Sequence, residues 1–306
     1  MPDMIITKSK LPTLSTPHAD PSTRSGRRLI PDPVILRAKA RPIIKWAGGK
    51  SQLLPAMSGL FPPREKIKRY FEPFLGGAAV FFYLQHPKSF LSDSNAALVE
   101  LYQVVQRNVE ELIQALKVHR NEREYFYEVR AQAPKDLSPI QRAARLIYLN
   151  KTCFNGLYRV NSKGQFNVPF GRYKNPTICD EDGLRSASLV LQPARITHQN
   201  FESILAQAQP ADLVYFDPPY HPLNKTSSFT SYTSDKFGEP EQRRLAEVFA
   251  ELAARGCYVM LSNSDTPLIR ELYRDFMIHE IQAGRAINSK AEGRGKITEL
   301  LVLNYA

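Results

Sequence analysis

Leu213-Val214-Tyr215-Phe216-Asp217-Pro218-Pro219-Tyr220 is an apolar run that stops at an aspartate and two prolines. Four apolar or aromatic residues closed by turn formers read as a buried strand of a parallel sheet. Such a strand delivers the Asp217 carboxylate to a sheet edge. Pro218 and Pro219 lack N–H groups, so carbonyls there have no neighbouring donors. Tyr220 then supplies a ring. The set suits an exocyclic amine on a flat heterocycle: Asp217 Oδ and the Pro218 carbonyl each accept one amine hydrogen while Tyr220 stacks. An aryl amine is a poor nucleophile because its lone pair is delocalised. Placed acceptors that favour a tetrahedral nitrogen therefore stabilise a transition state more than a ground state. The tetrapeptide alone also reads as a plain turn, and the rest of the chain weighs between the two.

On either side of it, strand signals recur at 69–74, 90–93, 195–198, 258–261 and 300–303. Helical patterns lie between them, from about Gln52, over 78–85, from the N-cap Asn95 to about Val109, and over 239–255. Strands alternating with helices predict an α/β sheet covered on both faces. Residues 110–190 interrupt it with helical patterns and an Asn-, Gly- and aromatic-rich loop, Asn150 to Tyr173. The expected organisation is a sheet domain over 41–109 and 191–306 and an inserted, mainly helical domain over 110–190. Residues 1–40 read as a disordered basic leader: eight Lys/Arg stand against three Asp through Arg41, without apolar periodicity.

The chain has 306 residues, 43% of them hydrophobic, enough for a sizeable core. No stretch approaches the roughly 18 apolar residues of a membrane span, and no secretory h-region is visible. Cys153, Cys179 and Cys257 are too scattered for a metal site or disulfide framework, so no metal is expected and a reducing cytoplasm is. A net charge of +11 and a pI near 9.5 favour a polyanionic partner, nucleic acid first.

Leu75-Gly76-Gly77 follows a strand and opens a helix, where glycine lets backbone approach a ligand. Asp93 stands 17 residues after Gly76, at the end of the next strand, where an acid accepts from ribose hydroxyls. A glycine turn and a ribose acid without a phosphate cradle suggest a nucleoside cofactor such as S-adenosylmethionine. Lys45-Trp46-Ala47-Gly48-Gly49-Lys50 reads equally as pocket wall or as a core aromatic flanked by surface charge. In the loop after Asn150, amides, arginines and aromatics interleave as in base-edge readers and stacking wedges. Arg172 and Tyr173 suit phosphates. A merely packed loop is the equal alternative there.

Together these segments resemble the Dam-type DNA adenine-N6 methyltransferases, from about Arg41 to Tyr305. The matching blocks are 44–50, 71–77, 92–95, 150–161, 166–173, 217–220, 261–266 and 294–301, in the order of the alpha group. The resemblance implies a Rossmann-like S-adenosylmethionine-dependent sheet with an inserted DNA-recognition domain. It implies that Trp46, Lys50, Glu72, Phe74, Gly76, Gly77, Asp93, Phe201 and Asp217 line the cofactor pocket. Asp217, Pro218, Pro219 and Tyr220 hold an adenine turned out of duplex DNA. Lys45, Asn155, Leu157, Arg159 and Pro169 read the site, with Phe154 filling the vacated stack. Family members with this loop commonly modify GATC. Ala78 stands where relatives often carry a third glycine, and Asn200 departs from their acid before Phe201. A monomer, acting alone or beside a restriction endonuclease in the nucleoid-bearing cytoplasm, is the expectation. The alternatives are an N4-cytosine enzyme, a glutamine or RNA methyltransferase, and an inactive DNA-binding relative.

Overall fold

In the computed structural model the described residues are 37, 39–223, 237–284 and 296–306. They fall within one compact unit, Pro33–Ala306. The expected leader lies outside them except at 37, 39 and 40, as do Arg294 and Gly295 of the last sequence block.

Seven strands make one sheet: β1 (Tyr70–Glu72), β2 (Ser89–Asp93), β3 (Arg195–His198), β4 (Leu213–Phe216), β5 (Tyr258–Ser264), β6 (Met277–Gly284) and β7 (Lys296–Leu303). Their order is β3-β2-β1-β4-β5-β7-β6. β1 to β5 pair in parallel, and β7 runs antiparallel between β5 and β6. Period two explains the two cores. Leu213 and Tyr215 of β4 join one apolar cluster with Tyr70, Met260 and Leu301, while Val214 and Phe216 join another with Phe71, Val259 and Val302. Helices cover both faces, as a sheet of this pattern requires. β6 is the strand that the sequence did not announce. Its His279, Glu280 and Gln282 break an apolar run, and at the sheet edge most of it stays accessible.

The helices are α1 (Leu54–Met57), α2 (Ala79–Leu84), α3 (Ala96–Arg107), α4 (Val109–Lys117), α5 (Arg123–Ala131), α6 (Pro139–Thr152), α7 (Glu181–Leu191), α8 (Glu239–Ala254) and α9 (Pro267–Leu272). Asn95 caps α3, its Oδ1 accepting from the N–H groups of Ala97 and Leu98 at 3.1 and 3.3 Å. α3 stops at Arg107 because Asn108 leaves the helical region, with φ −134°. Within 110–190, α4 and α7 bury Leu112, Ile113, Leu116, Leu184 and Ala187 in the main core. A separate cluster of Phe126, Val129, Tyr148, Leu149, Cys153, Phe166 and Val168 supports the 150–173 loop. α6 reaches both, through Ala143 and Ile147 on one side and Tyr148 and Leu149 on the other.

Strand order reverses between β1 and β4. In open α/β sheets, ligands bind beyond the carboxyl ends of the strands at that reversal.

Candidate active site

Three acids converge on that place because three strands end there: Glu72 on β1, Asp93 on β2 and Asp217 just after β4. Asp217 Oδ1 lies 2.7 Å from Lys50 Nζ, with the lysine side chain 3% exposed and the aspartate 20%. Lys50 also donates to the Gly48 carbonyl and sits 4.7 Å from the Tyr220 ring centroid. Burial lifts the Asp217 carboxyl to about 6, against the pull of Lys50. Glu72 is more enclosed. Burial pushes it to about 8, while a 2.7 Å hydrogen bond from Tyr70 Oη opposes the shift and Asp217 and Asp93 add to it. Asp93 is also raised by burial, although it accepts from the N–H groups of Gly76 at 3.1 Å and Asn95 at 2.8 Å. Three carboxyl groups, all raised chiefly by burial, thus line one crevice with Lys50.

The glycine turn is built around Trp46. A Cβ at Gly76, which has φ +47°, would meet Trp46 Cδ1 at 3.0 Å. Trp46 in turn stacks on Tyr158, with ring centroids 5.2 Å apart. It therefore joins the glycine turn to the 150–173 loop. Ala78 adopts φ +57°, the conformation that glycine takes without strain. Phe74 stacks on Phe201 at 5.4 Å and meets Phe237 edge-on at 5.6 Å.

The Asp-Pro-Pro-Tyr turn is braced from behind. The Pro219 carbonyl accepts from Gln242 Nε2 at 2.8 Å, and Gln242 Oε1 accepts from Asn263 Nδ2 at 3.0 Å. Asn263 Oδ1 accepts from the His221 N–H at 3.1 Å. Pro218 is buried, and among the described residues no hydrogen bond reaches its carbonyl.

In the loop, Phe154 stands 50% exposed although it is large and apolar. Its N–H is anchored by the Pro169 carbonyl at 2.9 Å, and neighbouring Asn155 takes φ +55°. Asn150, 1% exposed, ties three strands of chain together. Its Oδ1 accepts from the Lys45 N–H at 2.9 Å, and its Nδ2 donates to the carbonyls of Lys45 and Gly156 at 2.8 Å each. Lys45 packs on Gly156 and lies 4.8 Å over the Tyr173 ring. Arg159 Nε donates to Asn167 Oδ1 at 2.6 Å. Leu157 and Tyr173 are partly buried, and Pro169 and Arg172 are exposed.

Residues 46–287, which include both the acid-lined crevice and this loop, match the model of the D12 class N6 adenine-specific DNA methyltransferases. The chain belongs to that family. It is 47% identical over 274 residues to the Type II methyltransferase M1.LlaDCHI of Lactococcus lactis subsp. cremoris, covering 87% of this chain and 95% of that protein. It is 44% identical to the Type II methyltransferase M.MjaIII of Methanocaldococcus jannaschii, covering 87% and 100%. The DNA adenine methylase of Escherichia coli is 37% identical, covering 87% and 95%. This chain is thus an adenine-specific DNA methyltransferase with the α/β sheet expected of it, and the N4-cytosine alternative falls with the family match. Among the described residues no helix is long and apolar enough to cross a membrane.

For the methyltransferase, sequence reasoning missed Gln242 and assigned no role to Asn150, Asn263 or Glu299, although these three lie in the matching blocks 150–161, 261–266 and 294–301. Each acts through a contact 21 to 105 positions away, and Asn150 also through the Gly156 carbonyl, which no local pattern encodes. Lys50, which the resemblance assigns to the cofactor pocket, lies against Asp217.

Proposed function

We propose that this methyltransferase takes its methyl group from S-adenosylmethionine and places it on adenine N6 in double-stranded DNA, within GATC, after turning the base out of the helix. The observation that carries the reading is the Lys50–Asp217 pair beside the Tyr220 ring, at the sheet's reversal point.

The crevice fits the cofactor on its own chemistry. Asp217, ionised near neutral pH beside Lys50, and Asp93 suit a positively charged sulfonium and ammonium, Glu72 is an enclosed polar wall, and a side chain at Gly76 would intrude on Trp46. Asp93 is the acid for the ribose hydroxyls, and Phe74 and Phe201 are the aromatics for the adenine ring. S-adenosylmethionine supplies a methyl on cationic sulfur, which departs as a neutral thioether without help from a metal.

The protein's work lies on the amine. A stacked base hides N6, so the base must leave the duplex, at a cost of a few kcal/mol. Stacking on Tyr220 and the acceptors Asp217 Oδ and Pro218 O offset that cost. They also hold both amine hydrogens so that the nitrogen lone pair is exposed, a gain from orientation. Lys50 keeps Asp217 ionised near neutral pH. The amine loses its proton after methylation, so a carboxylate titrating near 6 is base enough. Phe154 fills the vacated stack, an assignment its exposure supports. Lys45, Asn155, Leu157, Arg159 and Pro169 read the flanking bases, and Arg172 and Tyr173 take phosphates. The likeness of the 150–173 loop to Dam-type enzymes supports GATC, and the net charge of +11 supports a DNA partner. The reading is of a cytoplasmic monomer, and relatives named Type II methyltransferases support one paired with a restriction endonuclease.

The test is a plasmid from a strain lacking adenine methylation, treated with the protein and S-adenosylmethionine. Endonucleases that differ in sensitivity to methylated GATC should then change their cleavage, and nucleoside mass analysis should find N6-methyladenine. Methylated adenine with unchanged GATC cleavage refutes the sequence assignment, and no methylated adenine refutes the whole reading. Asp217→Ala should abolish turnover while leaving DNA binding measurable.

A further inference from the structure

We infer that Glu299, on β7, is a positioning residue that sets the Tyr220 ring as the platform on which the extruded base stacks. The inference rests on the preceding reading of Tyr220. Glu299 Oε2 accepts from Tyr220 Oη at 2.7 Å across 79 positions of sequence. Register holds Glu299 firmly, opposite Ser264 of β5 and Ile281 of β6.

Two groups of contacts divide the work. The backbone on either side of Tyr220 is fixed by amides with no exposed surface. Gln242 holds the Pro219 carbonyl and Asn263 holds the His221 N–H. The side-chain torsions of Tyr220 are what these amides leave undetermined. Lys50 Nζ covers one face of the ring, 4.7 Å from its centroid, and Glu299 holds the hydroxyl at its far end. One face and one edge thus fixed leave the second face for a base. A free tyrosine would have to be ordered at each encounter, and preorganisation removes that loss.

Stability alone is a weak account of this carboxylate. A hydroxyl in a cleft can be satisfied by water, whereas Glu299 adds negative charge beside Asp217 and helps raise it. A residue that strains the local electrostatics while fixing a ring is placed for the ring's function.

The experiment measures kcat and both KM values on a duplex that the wild type methylates, for Glu299→Leu, Glu299→Gln, Tyr220→Phe and the Tyr220→Phe/Glu299→Leu double variant. Glu299→Leu and Tyr220→Phe should each lower kcat by about tenfold with the cofactor KM within about twofold, as for loss of one charge-assisted hydrogen bond. The double variant should be no slower than either single one, because both remove the same contact. Glu299→Gln keeps an acceptor and should recover most of kcat, while its acid limb moves to lower pH because one charge facing Asp217 is gone. A wild-type rate for Tyr220→Phe, or losses that multiply in the double variant, overturns the inference even if Glu299→Leu folds poorly. A wild type that methylates no DNA is a different failure: it removes the reading beneath the inference, and the inference with it.

Discussion

Replacing Lys50 with methionine keeps a long apolar stem and removes the charge 2.7 Å from Asp217. With that cation present the Asp217 carboxyl already stands at about 6, because burial outweighs the ion pair. An opposite charge at this range lowers a carboxyl by roughly 1–3 units, so its loss should place Asp217 at about 7–9. At pH 7 the ionised fraction would fall from about nine-tenths to between about one-half and one-hundredth. A protonated Asp217 is a weaker acceptor and carries an O–H that competes with the amine hydrogen, so activity falls on the acid side. Single-turnover transfer of labelled methyl to duplex DNA, at saturating S-adenosylmethionine, reads this from pH 5 to pH 9.5. The wild-type acid limb should lie near 6, and the Lys50→Met limb roughly 1–3 units higher, with much of the rate regained at pH 9. Losing the cation beside Tyr220 adds a factor independent of pH, so the limb's position is the measurement and its height is not. Asp217→Asn should show no such limb. A Lys50→Met limb that stays at the wild-type pH would refute the assignment of Asp217 as the ionised acceptor.

Glu72 offers a stability test with a definite sign. Its carboxyl is raised from 4.5 to about 8, so the folded state holds the proton more tightly than the unfolded chain. That contribution is fully present below the unfolded value and is lost as pH rises through about 8. Glu72→Gln should therefore melt higher than the wild type at pH 9 and no higher at pH 4; parallel curves would contradict the burial argument. Ala78→Gly relieves a left-handed alanine at φ +57° and should add about 1 kcal/mol, near 2 °C in Tm by calorimetry. Arg159→Ala should cost about 1–3 kcal/mol of discrimination at one base position, and Asn167→Ala, which removes the side-chain acceptor of Arg159 Nε, should weaken discrimination at the same position. Equal loss on all sequences would instead mark Arg159 as a phosphate contact.

Much of the fold was legible because each signal is local. Leu213 to Phe216 could hardly be anything but a central strand, and Asn95 before an apolar periodic run is a cap by its own chemistry. Where the pattern was diluted, legibility failed. β6 mixes His279, Glu280 and Gln282 with its apolar residues, since an edge strand need bury little. The break at Asn108 turns on one residue's dihedrals, which composition does not announce. At the site, the acids and glycines were visible as types at strand ends. Their bracing was not: Gln242 looked like one polar position on an amphipathic helix, and Glu299 like one acid in a terminal strand.

Sequence by itself determined the chemistry available: a carboxylate, two prolyl carbonyls and an aromatic ring at the end of an apolar strand, with a glycine turn and two further acids upstream. It determined the order of the strands, β6 apart, and of most helices, because periodicity and turn residues act over a few positions. Tertiary structure alone decided that Lys50 serves Asp217, that Asn150 ties Lys45 to Gly156, and that Glu299 meets Tyr220. Those pairings depend on strand order and register. Burial then turned ordinary carboxylates into groups that titrate near 6 and 8, because a charge's cost is set by the medium around it rather than by its neighbours along the chain.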